Sequence, residues 1–316
     1  MLEPETFESL RPLLFSIAYR MLSSISEAED AVQDAFLRYE GALRDGGHID
    51  SPKSWLSAVV TRLCIDELRS ARVRRETYVG EWLPEPLVTD RDLGFTDPAV
   101  MAEEAETLSM AFLLVLDRLS PTERAVFLLH DVFGYEYDEI ATIVDKSEVN
   151  CRQIASRARR NVQSERPRFD ASRKARDELA TRFFAAVTDG DMPGLVALLA
   201  ADVAVYGDGG GNAPQWATAI VGATRVAQLF AGLSRQIREF HIRIDPTQIN
   251  GQPGAILFDP EGGVINVFSL DILDGVVQTV RSVINPEKLR HLGPVADVRA
   301  IARGRGQPSS PARTES

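Results

Sequence analysis

The chain has 316 residues, 44% hydrophobic and 26% charged, with a net charge of −11; this length suits two or three globular domains. No apolar run approaches about 18 residues, so no membrane span is expected, and the acidic opening MLEPETFESL lacks the basic and apolar regions of a secretion signal. The two cysteines, Cys64 and Cys151, are too far apart in the sequence to suggest a disulfide framework or a zinc site; a cytoplasmic protein without metal or cofactor is expected. The acidic excess is not uniform, because residues 81–116 alone hold eight acids and one base. Elsewhere basic residues cluster locally, as phosphate contact requires.

Ser26 and Glu29 read as a capping box opening a helix that buries Ala28, Ala31, Val32, Ala35, Phe36 and Tyr39. Gly46 and Gly47 break the pattern. Pro52 then occupies the first position of a second helix, which runs through Trp55, Leu56, Val59, Val60, Leu63 and Leu68 to a basic end at Arg72, Arg74 and Arg75. Residues 81–100, with Pro84, Pro86, Pro98 and five acids, read as a linker. Helical pattern resumes near Ala102, and Ser120-Pro121-Thr122-Glu123 is a second capping box, ahead of buried Ala125, Val126, Leu128 and Leu129. A short helix at about Tyr137–Val144, a turn at Asp145-Lys146-Ser147 and a longer helix to about Gln163 have helix-turn-helix spacing.

In that last helix Cys151, Ile154, Ala155, Ala158 and Val162 form a buried stripe. Asn150, Arg152, Gln153, Ser156, Arg157, Arg159 and Arg160 occupy the other face. Asn, Gln and Arg near the helix start suit base edges, and the later arginines suit phosphates; a solvated basic helix in an ordinary bundle has the same pattern. The segment Arg62–Arg75 is a second basic face. Beyond residue 174, helices at about Ala175–Asp189 and Pro193–Ala200 precede strand-like runs at Val203–Tyr206, Phe240–Ile244, Ala255–Phe258, Val264–Leu273 and Val276–Ile284. Asp274-Gly275 reads as the hairpin turn between the last two. Helices followed by mostly antiparallel strands predict an α+β domain.

Taken together, SEAEDAVQDAFLRYE (26–40), SPKSWLSAVVTRLCIDELRSARVRRE (51–76) and residues 116–162 resemble regions 2.2, 2.3–2.4 and 4 of the sigma-70 family, in its small extracytoplasmic-function group. The extra C-terminal domain resembles SnoaL-like proteins. WLPEP (Trp82, Leu83, Pro84, Glu85, Pro86), YGDGGGN (including Asp208, Gly209, Gly210, Gly211 and Asn212) and NPEKL (Asn285, Pro286, Glu287, Lys288, Leu289) match the sigma subgroup that carries this extension. The resemblance implies a multidomain chain with an all-α N-terminal part and a cone-shaped α+β barrel. Its segments are region 2 (1–80), an acidic linker (81–101), region 4 (102–173), a SnoaL-like regulatory domain (174–290) and a disordered tail (291–316).

The same resemblance implies that Asp30, Gln33 and Asp34 contact the β′ clamp coiled coil of core RNA polymerase, with region 4 on the β flap. Trp55, Arg62, Arg69, Arg72, Arg74 and Arg75 would serve the −10 element of promoter DNA, and the basic helix-turn-helix face would serve the −35 element. The loop near Arg44–Ser51 would hold a flipped base. One copy per polymerase implies a monomer. Regulation in cis is implied, with WLPEP docking against Asp208–Gly211 or Asn285–Leu289. Glu81, Glu85, Asp90 and Asp92 are expected to mimic a phosphate backbone in the polymerase channel. Two departures stand out: Asp145 replaces the family's usual turn glycine, and Asn212 replaces the lysine that usually ends the glycine loop. Val149 also stands where a small residue is common. Competing readings are a SnoaL-like enzyme using Asp202, Asp208, His241, Asp259 or Asp271, a small-molecule-sensing pocket, and a helix-turn-helix regulator that binds an operator without polymerase.

Overall fold

The computed structural model describes residues 4–76, 78–89, 105–164, 172–213 and 218–299. It divides into two compact units. The first comprises 1–78, 83–170 and 248–252, and the second 79–82, 171–247 and 253–316.

The first unit is helical: α1 (Pro4–Leu22), α2 (Ile25–Arg44), α3 (Pro52–Glu76), α4 (Met110–Leu116), α5 (Pro121–Phe127) with a π-helical turn at Leu128–Val132, α6 (Tyr137–Val144) and α7 (Glu148–Gln163). Pro52 opens α3, and Ser120 with Glu123 forms the expected capping box. The cap of α2 is displaced from the expected Ser26–Glu29 pair: Ser24 is the N-cap and accepts from Glu27 N. The physical reason is tertiary, since a distant carboxylate described below takes the amides of Ile25 and Ser26. Segments 1–80 and 102–173, expected as separate domains, share one core. Leu14, Val32, Val60, Cys64, Leu113, Val126, Ile140 and Ala155 belong to the same buried cluster.

The second unit contains α8 (Arg173–Asp189), α9 (Met192–Leu198), β1 (Leu199–Asp208), β2 (Ile220–Val221), α10 (Ala223–Glu239), β3 (Arg243–Ile249), β4 (Gln252–Phe258), β5 (Val264–Leu273), β6 (Val276–Val283) and α11 (Pro286–Leu289). Six strands form one sheet in the order β2-β1-β6-β5-β4-β3. β1 runs parallel to β6, while the β1–β2, β4–β5 and β5–β6 pairs are antiparallel. Phe183, Phe230 and Phe268 link α8, α10 and β5 in the core, with centroids 5.2 and 5.9 Å apart.

The C-terminal part departs from the sequence expectations at three places. The 17-residue α10 was not anticipated; it runs to Glu239 with Phe240 as its C-cap, so the strand expected at Phe240–Ile244 begins at Arg243 instead. A further hairpin turns at Asn250-Gly251, with φ 53° and 69°. Of the expected disordered tail 291–316, residues up to 299 are ordered on the sheet. Val264 N donates to Pro294 O, Ala296 N donates to Val264 O, and Ala296 and Val298 enter the core. The remainder, 300–316, lies outside the described residues.

Candidate nucleic-acid interface

On α2 the side chains of Asp30, Gln33 and Asp34 are exposed. They repeat at helical spacing along one edge, which Leu37, 56% exposed, continues. Two acids and an amide around an exposed apolar residue can receive a basic helical partner.

The expected −10 surface divides. Trp55 packs edge-on against Tyr39 at 5.3 Å and is only half exposed. Arg69 pairs with Asp66 in solvent. Arg72, Arg74 and Arg75 lie on α3, but their side chains fall outside the described residues. Arg62 is engaged within the unit: its Nε donates to Ile143 O at 2.9 Å and its Nη2 to Thr142 O at 2.7 Å. These are carbonyls at the C-terminal end of α6, which carry the negative end of the helix dipole. Tyr135 Oη donates to Ser57 Oγ at 2.7 Å, a second bond to α3 from the same part of the chain. Arg124 Nη1 reaches Met21 O at 2.6 Å, and Arg20 donates to Thr107.

The helix-turn-helix forms as the spacing predicts. Asp145 takes the left-handed conformation at φ 51°, and Ser147 caps α7 by accepting from Asn150 N. Cys151, Ile154, Ala155, Ala158 and Val162 are buried. Val149, Arg152, Gln153, Ser156, Arg157 and Arg160 line one open groove, whereas Asn150 is half-buried. Arg159, expected on the same face, is engaged within the unit: its Nε donates to Asp131 at 2.5 Å and its Nη2 to Tyr137 Oη at 3.2 Å, so it braces α7 against the π-helical turn. Arg152 lies over the Tyr137 ring at 5.2 Å and pairs with Glu148.

The linker has built contacts in each unit. In the first, the Glu85 carboxylate accepts from Ile25 N at 2.7 Å, Ser26 N at 3.3 Å and the hydroxyls of Ser24 and Ser26. Glu85, expected to mimic a phosphate backbone in the polymerase channel, is here a buried N-terminal cap of α2. Asp90 and Asp92 lie outside the described residues, and Glu81 is half-exposed. In the second unit, Trp82, Asp208 and Lys288 converge: Lys288 Nζ lies 4.4 Å from the Trp82 ring centroid and 2.7 Å from Asp208 Oδ2. Asp208 is wholly buried, and its backbone oxygen accepts from Ile284 N and Asn285 N. Asn285 in turn caps α11 by accepting from Glu287 N. A Cβ on Gly211 would meet Val79 at 3.3 Å. A cation still reaches the glycine loop despite Asn212, because Arg299 donates to Gly211 O at 3.0 Å.

The carboxylates considered for catalysis do not converge. Asp208 is paired with Lys288 and Asp271 with Arg281. Asp259 accepts from Gly263 N in a turn, while Asp202 and His241 are exposed. Among the described residues no group of three side chains suited to a metal ion occurs, and no helix is long and apolar enough to cross a membrane.

A model of Sigma-70 region 2 matches residues 6–74, one of Sigma-70 region 4 matches 109–162, and one of a SnoaL-like domain matches 180–281. Region 2 followed by region 4, in that order, marks a sigma-70-type protein. The chain is 36% identical over 314 residues to the ECF RNA polymerase sigma factor SigJ of Mycobacterium tuberculosis, covering 97% of this chain and 99% of that protein. It is 32% identical to the probable ECF sigma factor SigI of the same species, covering 88% and 92%. The crystal structure of M. tuberculosis SigJ matches with a TM-score of 0.70 at 35% identity, over 91% of this chain and 98% of that one. The chain belongs to the extracytoplasmic-function sigma factors, in a form that carries a SnoaL-like domain after region 4.

Proposed function

We propose that the chain binds core RNA polymerase in the cytoplasm, directs initiation at its promoters, and is governed in cis by its SnoaL-like domain. The observation that supports the reading is the first unit itself: an exposed acidic edge on α2 for a partner, and a basic groove on α7 suited to DNA. Asp30, Gln33 and Asp34 would meet the clamp coiled coil of β′, and region 4 the β flap. The α3 arginines would serve the −10 element, and Arg152, Gln153, Ser156, Arg157 and Arg160 the −35 element.

The packed first unit is best read as a resting form. The carbonyls held by Arg62 and the ring covered by Arg152 belong to one helix of eight residues, roughly 12 Å long at 1.5 Å per residue. The promoter elements themselves lie roughly 80 Å apart along the duplex, at about 3.4 Å per base pair. Both surfaces therefore reach their elements only after regions 2 and 4 separate. The Trp82–Lys288–Asp208 cluster supports control by the C-terminal domain, since it fixes one end of WLPEP while Glu85 fixes the other at α2.

The test is transcription by purified chain and core polymerase on a promoter library. Initiated transcripts, and an altered yield at unchanged promoter choice in Trp82→Ala, are expected. Absence of transcripts from every template would remove the reading; an unaltered yield in Trp82→Ala would remove the regulatory part.

A further inference from the structure

Two Asx-Gly hairpins in this chain have nearly the same backbone, and only one is exposed. Asp274-Gly275 turns at φ 53° and 72° and its residues face solvent. Asn250-Gly251 turns at φ 53° and 69°, but Asn250 is 0% exposed and its segment, 248–252, groups with the first unit. A residue needed only for the turn gains nothing from such burial.

The hydrogen bonds of Asn250 explain it. Its backbone N donates to Leu87 O at 2.7 Å, and its Oδ1 accepts from Leu87 N at 3.0 Å. Its Nδ2 donates to Tyr19 Oη at 2.6 Å and to Leu108 O at 3.0 Å. Tyr19 Oη donates its own hydrogen bond to Glu85 O at 2.6 Å, and burial keeps that phenol protonated. One buried amide thus joins region 2 through Tyr19, the linker through Leu87 and Glu85, and the residue directly before the region 4 match through Leu108. Neighbouring bonds repeat the grip: Thr89 N donates to Gln248 O, and Gly251 N to Thr89 Oγ1. A Cβ on Gly251 would sit 2.5 Å from Ala105 Cα, so the tip is closely fitted as well as bonded.

We infer that Asn250 is a positioning residue that latches regions 2 and 4 together, so that the Gln248–Gln252 tip must withdraw before the two promoter-reading surfaces separate. The inference rests on the sigma-factor reading above and adds to it a control point distinct from Trp82, Asp208 and Lys288.

Asn250→Gly tests it, because glycine accepts the positive φ while deleting the amide. Labels at Glu40→Cys on α2 and Asn161→Cys on α7, both exposed positions, report the separation of the regions in the full chain. The native thiols of Cys64 and Cys151 are buried and held protonated by that burial. With its circular dichroism unchanged, Asn250→Gly should raise the separated fraction about tenfold, the scale of losing two or three buried hydrogen bonds. The chain concentration for half-maximal transcription with core polymerase should fall in step. Asp274→Gly, altering the exposed turn, should change neither. In the wild-type chain, amide exchange at Leu87 and Asn250 should accelerate when core polymerase is added, a measurement that stands even if Asn250→Gly fails to fold. A folded Asn250→Gly with wild-type distances and titration, or amides that stay protected on polymerase, would overturn the latch. If the wild-type chain itself starts no RNA, the parent reading fails, and the distances still judge the latch separately.

Discussion

Asp145 sits at φ 51° between α6 and α7, where a left-handed residue must end one helix before Ser147 caps the next. Aspartate tolerates that region through its short polar side chain, so the turn was legible in the sequence without the usual glycine. The α7 face was legible too, because helical spacing alone separates Cys151, Ile154, Ala155, Ala158 and Val162 from the polar residues. Arg159 was not legible, since its partner Asp131 is 28 residues away and is brought near by the π-helical turn. The two kinds of arginine should behave differently. Arg159→Ala is expected to lower the melting temperature while leaving the salt dependence of DNA binding nearly unchanged. Arg157→Ala and Arg160→Ala should each weaken binding to all sequences and reduce the salt slope by about one. Binding isotherms at several salt concentrations separate these outcomes. Val149, 63% exposed at the start of α7, presents methyl groups where a thymine methyl can be met. Val149→Ala should relax preference at one −35 position in a selection from randomised promoters, with no change in stability.

At the scale of elements, local capping rules found α3 and α5 but misplaced the start of α2 by two residues. Ser24 and Ser26 are both suitable caps, and the choice is made by Glu85, about sixty residues onward. Glu85→Gln keeps the shape but removes the charge at the helix N-terminus. It should cost about 1–3 kcal/mol, the range for a buried charge-assisted hydrogen-bond set, read as a lower urea midpoint. The missed α10 has an apolar stripe at Val226, Ala227, Phe230 and Ile237, but Gly222 and Gly232 disguise it as loop. Asn250-Gly251 carried the same hairpin signal as Asp274-Gly275, yet its flanking strands include Pro246 and Pro253, which mask the alternation. Lys288→Met would leave the buried Asp208 carboxylate without its cation and should cost about 3–5 kcal/mol. The double variant with Asp208→Asn should recover part of that loss, and thermal unfolding of both variants checks it.

At the scale of the molecule, the order of the sigma regions and the SnoaL-like domain was readable from motifs that stand in series. Their packing was not: nothing local announces that Arg62, on the helix expected to serve the −10 element, donates to carbonyls of the helix-turn-helix. Under the proposed function, that contact ties up a cation that would otherwise serve the promoter. It gives the account its central claim, that regions 2 and 4 rest closed and part when they act. The most direct measurement is the distance between labels at Glu40→Cys and Asn161→Cys, taken on the free chain and on the complex with core polymerase and promoter DNA. The account predicts a single distance in the free chain and an increase of several tens of ångströms in the complex, as the roughly 80 Å between promoter elements requires. An unchanged distance in a complex that is making RNA would contradict it.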